Sequence, residues 1–141
     1  MATSSFIGVQ NTNGSIEAIY CYSNGYPSGL GLTLQAYHNS EEAANQIIAL
    51  GDLSHLAEKL APEEGQVHSF NSLVQGVTLA YHRDRGEPFI QPKKYDSVED
   101  FLNKSDISAV NYLYLFRDSA WFFTPVYGAG KGTWKPCASI Q

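Results

Sequence analysis

Along residues 15–22, Ile16, Ala18, Tyr20 and Tyr22 alternate with Glu17, Ile19 and Cys21. That period belongs to a strand with one face buried and the other largely covered. Residues 6–10 carry a second apolar run, and Asn13-Gly14 stands between the two segments. Asn-Gly is the strongest short hairpin signal, so the two runs are expected to pair. The second strand stops at Ser23-Asn24-Gly25, where Asn and Gly tolerate positive φ. Pro27 then fixes φ and pushes Tyr26 into an extended conformation, which holds the Tyr26 ring out from a stiff turn.

Helical spacing begins directly after this turn. Leu30, Leu34 and Tyr37 share one face of a helix expected over residues 30–37, with Ser28 as its cap. Gly29 and Gly31 each cost that helix about 1 kcal/mol against Ala. Two readings offset the cost: close packing of the turn against the sheet, or exposed amides that receive an anion. Asn39-Ser40-Glu41-Glu42 reads as a capping box for a second helix, striped by Ala43, Ile47, Ile48 and Leu50 and closed by Gly51. Residues 53–60 read as a short helical turn capped by Asp52 or Ser54. A strand is expected over residues 77–83, then a loop over 84–92 that carries Pro88 and Pro92. Ser97 opens a short helix with Asp100 answering it. Residues 111–116 and 121–126 flank Arg117-Asp118-Ser119-Ala120 as a second hairpin. Tyr112, Tyr114 and Phe116 share one face of its first strand, and Leu113 and Leu115 the other.

The pattern therefore predicts an α+β fold. An antiparallel sheet of about five strands, two hairpins plus a central strand, carries two to three helices on one face. Residues 1–127 form a single domain, and the Gly-rich residues 128–141 form an irregular C-terminal tail. At 141 residues, with 43% hydrophobic and 16% charged residues, the chain is long enough to bury a core. No apolar run is long enough to cross a membrane, and the Met-Ala-Thr-Ser-Ser start lacks the features of a secretory signal. Cys21 and Cys137 accordingly read as reduced thiols of a cytoplasmic protein. The net charge of −5 argues against a nucleic-acid polymer as partner, because such binding draws on a basic surface.

Three arginines, Arg83, Arg85 and Arg117, stand where an expected strand gives way to a turn. An arginine fork grips phosphate or carboxylate at two points and stacks on rings, which lysine does not. If the strands ending at Arg83 and Arg117 are neighbours, Tyr81, Arg83, Arg85, Phe116 and Arg117 converge at one end of the sheet. Base on ring and phosphate on arginine is a common way to hold a nucleotide. The competing reading pairs these arginines with Asp84 and Glu87 in a surface network. His82 is a candidate general base, although such a histidine is more often packed or hydrogen-bonded on the back face of a strand. His38, His55, His68 and His82 show no metal-ligand spacing, and no nucleophile signature occurs, so neither a metal nor a cofactor is expected.

The blocks Ile19-Tyr-Cys-Tyr-Ser-Asn-Gly-Tyr-Pro-Ser-Gly-Leu-Gly31, Ile48-Ala-Leu-Gly-Asp-Leu-Ser-His-Leu56 and Ala80-Tyr-His-Arg-Asp-Arg-Gly86 resemble a family of small proteins encoded by tailed phages and prophages. Members commonly show Tyr-Cys-His-Trp-Asp-Gly-Tyr-Pro in the first block, where this chain has Tyr22, Ser23 and Asn24 in the His-Trp-Asp places. The resemblance implies a phage protein acting in the bacterial cytoplasm. A looser analogy links small acidic phage proteins to the anti-defence sponges that sequester the cyclic nucleotide or cyclic ADP-ribose signals of CBASS and Thoeris systems. On that basis the chain is expected to be a non-enzymatic, homo-oligomeric binder of a small phosphorylated nucleotide. Its expected site comprises Tyr26, Gly29, Gly31, Tyr81, His82, Arg83, Arg85, Phe116 and Arg117. The alternatives are a protein-binding inhibitor and an enzyme that cleaves a phosphodiester or glycosidic bond.

Overall fold

The structure, a computed structural model, describes residues 3–140. Met1, Ala2 and Gln141, at the ends of the expected domain and tail, lie outside the described residues. Strands β1 (Ser5–Gln10) and β2 (Ile16–Cys21) form the expected hairpin, with Gly14 at φ 89° in the turn. After the Pro27 turn comes α1 (Leu32–Tyr37), then α2 (Glu41–Leu50), whose first turn is capped by the Ser40 hydroxyl accepting from the Ala43 amide. Next follow β3 (Leu53–His55), β4 (Leu79–Ala80) and α3 (Tyr81–Arg85). The chain continues with β5 (Lys93–Tyr95), α4 (Val98–Lys104) capped by Ser97, and the hairpin of β6 (Tyr112–Arg117) with β7 (Ala120–Pro125). It ends with β8 (Lys135–Pro136).

All eight strands form one sheet in the order β4-β3-β2-β1-β6-β7-β8, with β5 added to β2. The α+β class matches expectation, but the sheet has more strands than expected and is mixed rather than antiparallel. β1 pairs parallel to β6, and β2 parallel to β3. The reason lies in β1, where Ser5 to Val9 are all buried and both edges are paired. A strand that central takes the second hairpin as its other neighbour.

Helices cover both faces, not one. On one face Ile7, Val9, Tyr114, Phe116 and Trp121 pack against Leu30, Leu34, Ala44, Ile47 and Ile48 of the Pro27 turn, α1 and α2. On the other, Phe101 of α4 meets Phe6, Ile16, Leu113 and Leu115, with Trp134 stacked 6.3 Å away. Two further expectations change. Residues 53–55 are a strand, because Leu53 pairs with Cys21 and Ala80 where the sequence offered only a short apolar run. The strand expected through Arg83 ends at Ala80, because the Asp84 carboxylate reaches back to accept the Ala80 amide and closes a helical turn that stops at Gly86, φ 70°. Within the tail, β8 pairs with β7 and Cys137 is buried, so residues 135–139 carry order that the sequence pattern did not show. No helix among the described residues is long and apolar enough to cross a membrane.

The Pro27 turn is a five-residue π-helical turn, Pro27–Gly31. The amides of Gly29 and Leu30 donate to the carbonyls of Tyr26 and Asn24 at 2.9 and 2.8 Å. A Cβ on Gly29 would lie 2.8 Å from the Asn24 carbonyl and from the Tyr26 ring, and one on Gly31 would lie 2.6 Å from Ile140 Cδ1. Below the turn, the buried Tyr114 hydroxyl donates to the Gly25 carbonyl at 2.6 Å. Close packing therefore accounts for both glycines, and the expected anion cradle is set aside. Gly29→Ala is expected to cost about 1–3 kcal/mol, because backbone cannot yield as a side chain does. A chemical-denaturation midpoint unchanged from wild type would refute this account.

Candidate functional site

The edge of β2 is shared by two short strands. β5 pairs with Ile16 to Ala18, β3 pairs with Cys21, and a gap opens between them at Ile19 and Tyr20. Asp52 fills it, its Oδ1 accepting the Tyr20 amide at 3.0 Å. Gly51, at φ 79°, ends α2 and turns the chain so that Asp52 arrives there. The Asp52 carbonyl also accepts the Tyr81 amide at 3.1 Å, which docks the start of α3 beside the gap.

Two cavities adjoin at this point, and Asp52 and Ile90 line both. The first, about 230 Å³, is completed by Tyr81, His82, Glu87 and Pro88. The second, about 330 Å³, includes Phe6, Tyr20, Lys93, Tyr95 and Asp106. Together they fall in the range of about 300–1,000 Å³ that small-molecule sites occupy. Burial pushes the Asp52 carboxyl above its usual value, and the Tyr20 amide and the Lys93 charge only partly oppose it. The His82 Nδ1–H donates to the Glu87 carbonyl at 2.8 Å, and the ring meets Phe89 edge-on with centroids 5.4 Å apart. His82 Nε2 is left without a protein partner among the described residues.

The arginines do not converge. Arg83 donates twice to Asp84, at 2.8 and 2.9 Å, and to the carbonyls of Leu60 and Thr78 at 2.6 and 2.8 Å. Its fork therefore ties the irregular loop of residues 56–78 to α3. Asp84, 4% exposed, also faces His68 at 3.8 Å. Although burial pushes the Asp84 carboxyl up, the Arg83 guanidinium and the Ala80 amide outweigh it and hold it below its usual value. Arg85 lies 4.5 Å from the Phe70 ring and 4.8 Å from the Tyr81 ring, and pairs with Glu87 at 3.0 Å. The ion-network reading holds for these two residues.

Arg117 is remote from them, because β3, β2 and β1 separate β4 from β6. Its guanidinium lies over Phe122 and Trp134, at 5.0 and 6.0 Å, beside a different cavity of about 380 Å³ lined by Asn11, Thr12 and Glu41. Phe116 is buried against Trp121 rather than presented as a stacking platform. Tyr26 borders a fourth depression with Tyr112 and Tyr127. Of the nine expected site residues, Tyr81 and His82 share a cavity at the groove, and Phe116 and Arg117 both line the separate cavity of about 380 Å³. Asp52, Glu87 and Lys93 were missed: the helix end at Gly51 was legible, but no sequence pattern marked Asp52 for the gap it fills.

Both thiols are buried and pushed up to about 12 by desolvation, which leaves neither Cys21 nor Cys137 as a ready nucleophile. Among the described residues, no group of three or more His, Cys, Asp and Glu could hold a metal ion. The chain matches no family model, no curated protein and no solved structure.

Asp84→Ala is expected to cost about 2–3 kcal/mol, less than the about 3–5 of a fully buried pair because Arg83 is 29% exposed. The pH dependence has two limbs. His38 is held neutral by burial, so stability falls as the pH drops below the usual histidine value of 6.5. Asp84 is held down, so its contribution is present above the usual carboxylate value of 3.8 and is lost as the pH falls through the lower native value. Denaturant unfolding across this range checks both, and Asp84→Ala should lack the lower limb.

Proposed function

We propose that this protein binds a small nucleotide signal in the groove between α3 and β5 and withholds it, uncleaved, from a host effector. One observation carries the reading: Asp52 keeps a half-buried carboxylate in the wall common to two adjoining cavities. Burial disfavours the charged form of this group, even though its Oδ1 accepts the Tyr20 amide. Its native pKa is raised, so at neutral pH the folded state bears a charge that the unfolded state accommodates more easily, and the penalty disappears only as the pH falls through the raised value. A site that tolerates this cost is a candidate for function. Tyr81, Tyr20 and Tyr95 supply ring surface, and Lys93 supplies a cation for an anionic end.

Sequestration rather than turnover is favoured by the state of the chain's candidate nucleophiles and base. Neither thiol is available as a nucleophile, and the Nδ1 partner of His82 is a backbone carbonyl rather than an orienting carboxylate. The phage resemblance adds the setting, a homo-oligomer in the cytoplasm of an infected bacterium. Withholding a signal by stoichiometry requires affinity near nanomolar, about −12 kcal/mol.

A second reading is a protein-binding inhibitor. Val67, Phe70 and Leu73 are 76%, 55% and 56% exposed on a single loop, as apolar anchors of a docking surface would be.

Incubation with a panel of cyclic nucleotides and cyclic ADP-ribose isomers, followed by washing, heat denaturation and mass spectrometry, separates the readings. Intact ligand in the supernatant supports sequestration, altered ligand supports an enzyme, and no retention favours the docking surface. Asp52→Asn keeps an acceptor for the Tyr20 amide while removing the charge. It is expected to weaken retention and to leave the thermal midpoint at pH 7 equal to wild type or higher. A clear loss of stability would mean that Asp52 is structural.

A further inference from the structure

We infer that the groove selects a guanine-type base, whose edge presents two adjacent N–H donors, and seats it beside Tyr81 with its phosphate toward Lys93. This inference rests on the groove being the ligand site. Polar side chains around the Tyr81 cavity are acceptor-rich. Asp52 and Glu87 are carboxylates, and His82 gives its Nδ1–H to the Glu87 carbonyl, which makes Nε2 an acceptor in the tautomer that this bond selects. No lysine or arginine lines that cavity. Glu87 is in part satisfied by Arg85. Asp52 has spent one lone pair of Oδ1 on the Tyr20 amide, and its Oδ2 has no protein partner among the described residues.

A carboxylate in this position rewards paired donors. Guanine offers a ring N–H next to an exocyclic amine. Adenine offers a donor next to an acceptor, whose lone pair would face the carboxylate, and hypoxanthine keeps the ring N–H but lacks the amine. Lys93 lies in the second cavity, close enough to Asp52 for its charge to be felt there. Asp106 lines that second cavity as well, but Lys93 is the one cation among the described residues lining the groove, so it sets where the phosphate of a nucleotide lying there goes.

Calorimetric titration of the full chain with GMP, IMP and AMP tests this. GMP is expected to bind about ten- to hundredfold tighter than IMP or AMP, the range for hydrogen bonds to a charged group. Asp52→Asn should erase that preference, and Lys93→Gln should weaken all three nucleotides alike. AMP binding as tightly as GMP, in a manner still lost in Tyr81→Ala, overturns the base preference and leaves the groove standing as the site. A GMP preference that survives in Asp52→Asn also overturns it. No binding and no thermal shift with any of the three nucleotides would remove the base preference and the groove reading together.

Discussion

Strand β1 is paired on both edges and covered on both faces, and much else follows from that confinement. Its partner β2 becomes the last full-length strand on one side of the sheet, because β3 and β5 beyond it span only three residues each. Two short strands cannot satisfy the whole edge of a six-residue one. The unpaired Tyr20 amide takes a side chain instead, and the carboxylate that reaches it is held at the mouth of a cavity. The candidate site is thus a consequence of incomplete strand pairing. A buried amide must find an acceptor, and where no backbone carbonyl is available an acidic residue serves.

Local chemistry was legible in the sequence. Asn13-Gly14 gave the first hairpin, Ser40 and Ser97 gave the starts of α2 and α4, and the aromatic alternation of residues 112–116 gave β6. The misreadings fall where long-range pairing decides. A three-residue strand such as β3 has no periodicity to read, and the alternation of Val77, Leu79 and Tyr81 concealed a helical turn imposed by Asp84. For the site, Tyr81 and His82 could be read from their block, whereas Asp52 could not. Its role depends on a gap that exists only once β3 and β5 lie side by side on β2.

The arginines teach a narrower lesson. Their planar forks were correctly read as groups that bind two acceptors at once and stack on rings, and the structure uses both properties. The acceptors, however, are the Leu60 and Thr78 carbonyls and Asp84, and the rings are Phe70 and Tyr81. Sequence reveals what a guanidinium can do but not with whom. In a chain of net charge −5, nearby carboxylates and loop carbonyls compete with any ligand for so few forks.

That internal use also bears on the proposed binding. Arg83 fastens the loop before β4 to α3, Asp84 fastens α3 to the end of β4, and the Asp52 carbonyl holds the Tyr81 amide. One wall of the groove is therefore fixed by at least three bonds that a ligand does not have to supply. Each side chain ordered on binding costs about 0.5–1.5 kcal/mol, so a wall ordered beforehand leaves more of the contact energy as affinity. Arg85 extends the same logic to the ring itself, because a guanidinium stacked on Tyr81 restricts its rotation. Arg83 and Arg85 thus brace the groove as struts rather than as hands, while Arg117 lies elsewhere.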